Sequence, residues 1–169
     1  MKRTRLWITS NPTENSSVSP DVFSKIKLEL SQLSTLLETY RPLLQQVKKR
    51  EPTDVELIAL AGILHSFYSG FENIFKRIAH DIDYELLKTN SWHADLLERM
   101  AVPTPKRTYV ITNPLKERLQ FYLSFRHAFR SMYSYDLNWS KMQDLVFESE
   151  EIFQLVKNEL EEFMKNNNR

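Results

Sequence analysis

The stretch from Leu57 to Ile78, LIALAGILHSFYSGFENIFKRI, decides the class of this protein. Leu57, Leu60, Leu64, Phe67, Phe71, Ile74, Phe75 and Ile78 recur at steps of mainly three and four. At about 100° per residue such steps fall on one broad face of a helix, whereas a half-buried strand alternates every second residue. The turn at Glu51-Pro52 places the start of this helix near Thr53, and so wide an apolar face puts it in the centre of the fold.

On its N-terminal side, Phe23, Ile26, Leu30, Leu33, Leu37, Tyr40, Leu44 and Val47 form a narrow seam on a long first helix. Pro42 interrupts that helix, and because the seam keeps its register on both sides it reads as a kink. After a connection over 81–90, Ser91 reads as the N-cap of a short helix with Trp92, Leu96, Leu97 and Met100, ended by Pro103 and Pro105. Asn113-Pro114 reads as a cap followed by proline at the first helical position, opening a helix to about Tyr133. A last helix spans roughly 139–164, with Leu145, Ile152, Val156, Leu160 and Phe163 facing inward. No internal repeat or linker divides the chain. The expectation is an all-α, up-and-down bundle of about four to five helices over residues 21–169, preceded by a loose arm over 1–20 that carries Arg3, Arg5 and Trp7.

Composition narrows the function. The 169 residues are 41% hydrophobic and 27% charged, enough for one domain with a real core. A net charge of +1 leaves no global excess to attract nucleic acid or membrane, so any such binding is local. The absence of cysteine excludes disulfides, zinc ribbons, iron–sulfur clusters and thiol catalysis. The only two glycines are Gly62 and Gly70, too few for a phosphate loop, a dinucleotide fingerprint or a nucleophile elbow. No run nears the roughly 20 apolar residues that span a bilayer, and no apolar run comes after the basic start, so the expected location is the cytoplasm, away from membranes.

Projected as a helix, residues 115–133 place Leu119, Phe121, Tyr122, Leu123, Phe125, Phe129 and Met132 on one apolar arc. Lys116, Glu117, Gln120, Ser124, His127 and Ser131 take the remaining surface. Arg126 and Tyr133 project near the middle of the arc, with Arg130 beside them. A guanidinium does not shed its proton and is costly to bury unpaired, so Arg126 requires a partner. A carboxylate from another helix would serve, and Glu72, at the edge of the central helix's apolar face, is the best placed. A protein partner or an anionic ligand such as a phosphate would serve too, and the side chain could instead snorkel to the bundle edge. Together Arg126, His127, Arg130 and Tyr133 supply cation, imidazole and phenol within two helical turns, a set that can bind and polarise a phosphodiester without a metal.

The run from Phe125 to Leu137, FRHAFRSMYSYDL, resembles the signature segment of HepT-like proteins, of the HEPN (higher eukaryotes and prokaryotes nucleotide-binding) superfamily. The run from Leu64 to Phe75 and the segment Ser91-Trp92-His93-Ala94-Asp95-Leu96-Leu97 occur in the order that family has them, and the resemblance extends from about residue 25 to the end. It implies a helical bundle that forms a homodimer, acts on RNA as a metal-independent endoribonuclease toxin without a cofactor, and is paired with an MntA-like nucleotidyltransferase antitoxin. The family's pattern, Arg-polar-x-x-x-His-x-Tyr, falls on Arg126, His127, Ser131 and Tyr133. The resemblance makes Arg126 the group at the scissile phosphate and Tyr133 the orienting residue or the site of AMP modification. Arg130 joins Arg126 in phosphate binding, and Glu72 supports the arginine.

The departure is Ser131, which stands where the family has its catalytic histidine. A hydroxyl is no general acid or base near neutral pH, and losing one costs about 10²–10⁴ in rate. His127 is the candidate substitute, although it projects onto the polar side. The alternative function is an interaction or regulatory module that has lost its chemistry and binds, or is modified by, a nucleotidyltransferase. Elsewhere, His65 is too far along the helix from Glu72 for a two-ligand metal motif, and His80 near Asp81 and Asp83 reads as a helix-end histidine favoured by the dipole, so no metal site is expected. Trp92 and His93 read as packing residues of the short helix, Tyr135 and Trp139 as packing or base-stacking residues, and the glutamates of the last helix as a solvated face.

Overall fold

The computed structural model describes residues 21–85 and 91–167; the expected arm over 1–20 lies outside them. Among the described residues the architecture is an all-α bundle of five helices: α1 (Val22–Gln46), α2 (Asp54–Asp81), α3 (Trp92–Met100), α4 (Asn113–Phe129) and α5 (Trp139–Asn167). A 3₁₀ turn, Ser134–Asp136, joins α4 to α5.

α2 is the spine and packs against every other helix. Its start is set by a capping box: Glu56 N donates to the Thr53 hydroxyl at 3.3 Å, and Thr53 N donates to the Glu56 carboxylate at 2.8 Å. Arg50, through its hydrogen bonds to Glu56, and then the backbone of Thr53 hold that carboxyl down to about 2. All the apolar residues expected on the α2 face are buried except the half-buried Leu57. α1 runs unbroken past Pro42 to Gln46, and its seam is buried from Ile26 to Val47 except at Tyr40, which is exposed. At Gly70 the Leu33 side chain of α1 packs directly on the α2 backbone, since a Cβ built there would lie 2.5 Å from Leu33 Cδ2.

The short helix differs at its cap: Ser91 precedes α3, but its hydroxyl donates to Asp95 at 3.1 Å and caps no backbone N–H. α3 is held in place by the loop at its C-terminal end. Met100 O accepts from Val110 N and Ile111 N, folding the 101–112 loop back on the helix end. Inside that loop the Arg107 guanidinium, fully buried, pairs with Asp83 at 2.8 Å and donates to three backbone carbonyls. Glu98 of α3 accepts from Lys116 and Gln120 of α4 at 2.8 and 3.2 Å, so α3 is tied across to α4.

α4 departs from expectation at both ends. Its N-cap is Thr112 rather than Asn113, because Glu159 of α5 accepts from Thr112 N at 2.7 Å and from its hydroxyl at 2.8 Å. Its end is Phe129, short of the expected Tyr133. Past Arg126 the chain tightens into i→i+3 bonds, Ser131 N to Ala128 O and Met132 N to Phe129 O, and the Ser131 hydroxyl also donates to Ala128 O at 3.2 Å. Local serine-to-backbone bonding of this kind competes with helix continuation. Met132 and Tyr133 of the expected apolar arc are consequently exposed, Tyr133 by 68%; Phe121, inside α4, is exposed by 67% for a different reason, on a face that no helix covers among the described residues. The glutamates of α5 are engaged rather than merely solvated: Glu148 and Glu151 clamp Arg118, and Glu150 meets Arg41 and Lys48.

Candidate functional site

The site grows from Glu72, a carboxylate only 1% exposed in the wall of α2. A buried carboxylate is stable only when cationic donors surround it, and three elements supply them. From one turn on in α2 comes Lys76, with Nζ 3.2 Å from Oε1. From α4 comes Arg126, with Nη2 3.3 Å from the same oxygen. From the first turn of α3 comes His93, with Nδ1 2.5 Å from Oε2. The partner that Arg126 requires is thus the expected carboxylate, within the same chain.

The ring of His93 is fixed on several sides. So short a contact to a carboxylate places a proton on Nδ1, which donates to Glu72; the 3.5 Å approach of Arg126 Nη1 to that nitrogen is then proximity and not a second hydrogen bond. Trp92 stacks on the ring at 3.6 Å between centroids, and Lys76 Nζ lies 4.8 Å over the indole. His127 meets His93 edge to face, with centroids 5.1 Å apart. Arg126 is held too: Nε donates to the Ser69 hydroxyl at 3.3 Å, and the side chain retains 12% exposure.

The electrostatics are those of an over-compensated anion. Glu72 contributes one negative charge against the positive charges of Lys76 and Arg126, so the cluster carries a surplus of one before any other group is counted. Burial, and then the charges of His93 and Arg126, lower the pKa of His127, with Arg130 acting in the same sense. His65 is lowered by burial and then by Arg126 and Arg130; it packs on Phe129 at 5.4 Å, with its Nδ1 buried and unpartnered. Burial, followed by the Glu72 charge, raises the phenol of Tyr68 well above its ordinary value.

Of the residues singled out in the sequence, the structure brings Glu72, Arg126 and His127 together and sets Arg130 at the exposed helix end beside them. Ser131 and Tyr133 lie past that end, and the serine's one hydroxyl proton goes to Ala128 O. Trp139 packs on Phe147, with centroids 5.6 Å apart. His80 pairs with Asp81 at 2.6 Å, whereas Asp83 turns to Arg107. Among the described residues no group of three or more His, Asp or Glu side chains is placed to hold a metal ion, and no helix is long and apolar enough to cross a membrane.

The residues that sequence reasoning missed are His93, Lys76 and Ser69. Lys76 carried a readable signal, four residues from Glu72 on one helix face. His93 carried only its place beside Trp92, since its partner lies 21 residues back across a loop.

Neither the curated proteins nor the solved structures contain a match to this chain. The family profile of HepT-like proteins matches residues 59–167, a span that holds every residue of the cluster and begins inside α2, leaving α1 outside although the sequence resemblance began near residue 25. With that span covering well over half of the chain, the protein belongs to the HepT-like proteins of the HEPN superfamily.

Proposed function

We propose that this protein is the HepT-like component of a toxin–antitoxin type pair, binding RNA phosphates at the Arg126 cluster and cleaving the strand without a metal. The observation that carries this reading is the surplus of positive charge around Glu72. The carboxylate is shared among Lys76, Arg126 and His93, so it orients the guanidinium without cancelling the cluster's charge. Arg130, at the exposed end of α4, extends the cationic surface outward. A phosphodiester fits such a site, because a planar guanidinium and an ammonium stabilise the charge that builds on the non-bridging oxygens.

The test is binding and cleavage of single-stranded RNA by the purified full chain with a chelator present. Cleavage that survives chelation and leaves 2′,3′-cyclic phosphate ends is expected, with Arg126→Gln lowering it about 10²–10³-fold. RNA left unbound and uncut by the wild-type protein would remove the reading.

A second reading, modification by a nucleotidyltransferase partner, draws on the exposure of Tyr133. Its phenol sits just past α4, where an enzyme can reach it. Incubation with an MntA-like nucleotidyltransferase and ATP, then mass spectrometry, is expected to add one AMP to Tyr133. The same reading includes a homodimer seated on the uncovered α4–α5 face, a groove of about 610 Å³ lined by Phe121, Phe125, Met132, Leu137 and Leu145.

A further inference from the structure

We propose that His93, seated by Glu72, forms with His127 the proton-transfer pair of the Arg126 site, taking over the work that Ser131 cannot do. This rests on the ribonuclease reading and adds to it a residue outside the signature run. Two imidazoles in edge contact, with ring centroids 5.1 Å apart, lie at the Arg126 cluster, one of them with its Nδ1 3.5 Å from the guanidinium. One of them is held at Nδ1 by a buried carboxylate, so its tautomer is set and Nε2 is the nitrogen left for exchange. A packing histidine needs no buried carboxylate and no cation-capped tryptophan to hold it. His65, the other imidazole close by, has its Nδ1 buried and its ring on Phe129, which leaves it poorly placed for exchange.

The step balances within this set. The ribose 2′-oxygen attacks the adjacent phosphorus while its proton passes to His127. That imidazole is neutral near pH 7, since burial and the charges of His93 and Arg126 disfavour its protonated form. The bond from phosphorus to the 5′-oxygen breaks, and the leaving oxygen takes the Nε2 proton of His93, which enters the step as the imidazolium with its other proton, on Nδ1, donated to Glu72; Glu72 stays ionised and keeps the ring in place. Arg126 and Lys76 face the non-bridging oxygens. The products are a 2′,3′-cyclic phosphate and a 5′-hydroxyl, and proton exchange with water resets both rings.

The experiment uses a random-sequence single-stranded RNA pool and its all-2′-deoxy counterpart as a binding-only probe. His93→Gln, whose amide can still meet Glu72, and His127→Gln are each expected to lower kcat by about 10²–10⁴ while the deoxy pool binds within a few-fold of wild type. Each variant should also lose one limb of the bell-shaped pH profile, and the double variant should be little worse than either single one. Should His93→Gln fail to fold, imidazole ¹⁵N spectra of the wild-type protein keep the test: the deoxy pool must shift the ring signals of both His93 and His127. Wild-type cleavage that His93→Gln leaves intact, or a His93 ring that ignores the probe, overturns the pair and spares the ribonuclease reading. Absence of binding and cleavage in the wild type overturns both.

Discussion

Glu72 is the residue on which most else depends, because it is the one negative charge among Arg126, His93 and Lys76. Removing one member of a buried ion cluster leaves the others uncompensated, which costs about 3–5 kcal/mol. Glu72→Gln is therefore expected to lower unfolding stability by about that amount in urea titration, more than Lys76→Gln, whose side chain is 42% exposed and can turn to water. Equal losses for the two would mean that the carboxylate is not the organising charge. At the same scale, a serine at position 131 does not empty the site of imidazoles. Two others, His93 and His127, stand at Arg126, one of them supplied by a different helix.

At the scale of elements, the cluster exists because α3 and α4 are both pressed on α2. The α1–α2 contact underneath is set by Gly70, whose missing side chain lets Leu33 approach. Gly70→Ala would drive Cβ into the buried Leu33, an overpacking cost of about 1–3 kcal/mol that outweighs the gain of up to about 1 kcal/mol in helix propensity. Gly62, which has nothing within 4 Å of the added Cβ, supplies the contrast. Melting temperatures are expected to fall for Gly70→Ala and to rise for Gly62→Ala, and parallel shifts would contradict this packing. The α2–α3 connection rests likewise on the Arg107–Asp83 pair, 0% and 5% exposed. Arg107→Ala is expected to destabilise by about 3–5 kcal/mol and, by loosening α3, to weaken the proposed RNA cleavage as well as stability. Circular dichroism melts and the RNA assay together would show whether those two losses coincide.

For the whole molecule, the histidines around Arg126 couple stability to pH. His65 and His127 are lowered from the ordinary 6.5, chiefly by burial, so as pH falls the unfolded chain takes up their protons first. Their contribution is full above about pH 6.5 and is lost as pH drops through their folded values. Melting temperature is expected to decline between about pH 7.5 and 5, and His65→Gln should flatten the slope; an unchanged slope would mean that another group carries the coupling. The uncovered groove between α4 and α5 is the other large-scale feature. A 67% exposed Phe121 beside Met132 and Phe125 is unusual for an isolated chain with so many aromatic residues buried elsewhere. If a second copy covers it, light scattering is expected to give twice the chain mass, and Phe121→Glu should return the monomer.

Periodicity and the cost of burial are local and register-bound, so the five helices, the central place of α2 and the need of Arg126 for a counter-charge at Glu72 were all legible in the amino-acid sequence. The end of α4 was not, because the Ser131 side chain there competes with the helix for a backbone carbonyl; Met132 and Tyr133 were therefore assigned to an apolar arc that ends before them. The entry of His93 into the site belongs to the tertiary structure alone. An isolated histidine next to a tryptophan carries no periodic signal, and its meeting with Glu72 depends on how the 101–112 loop and the Arg107–Asp83 pair lay α3 across α2.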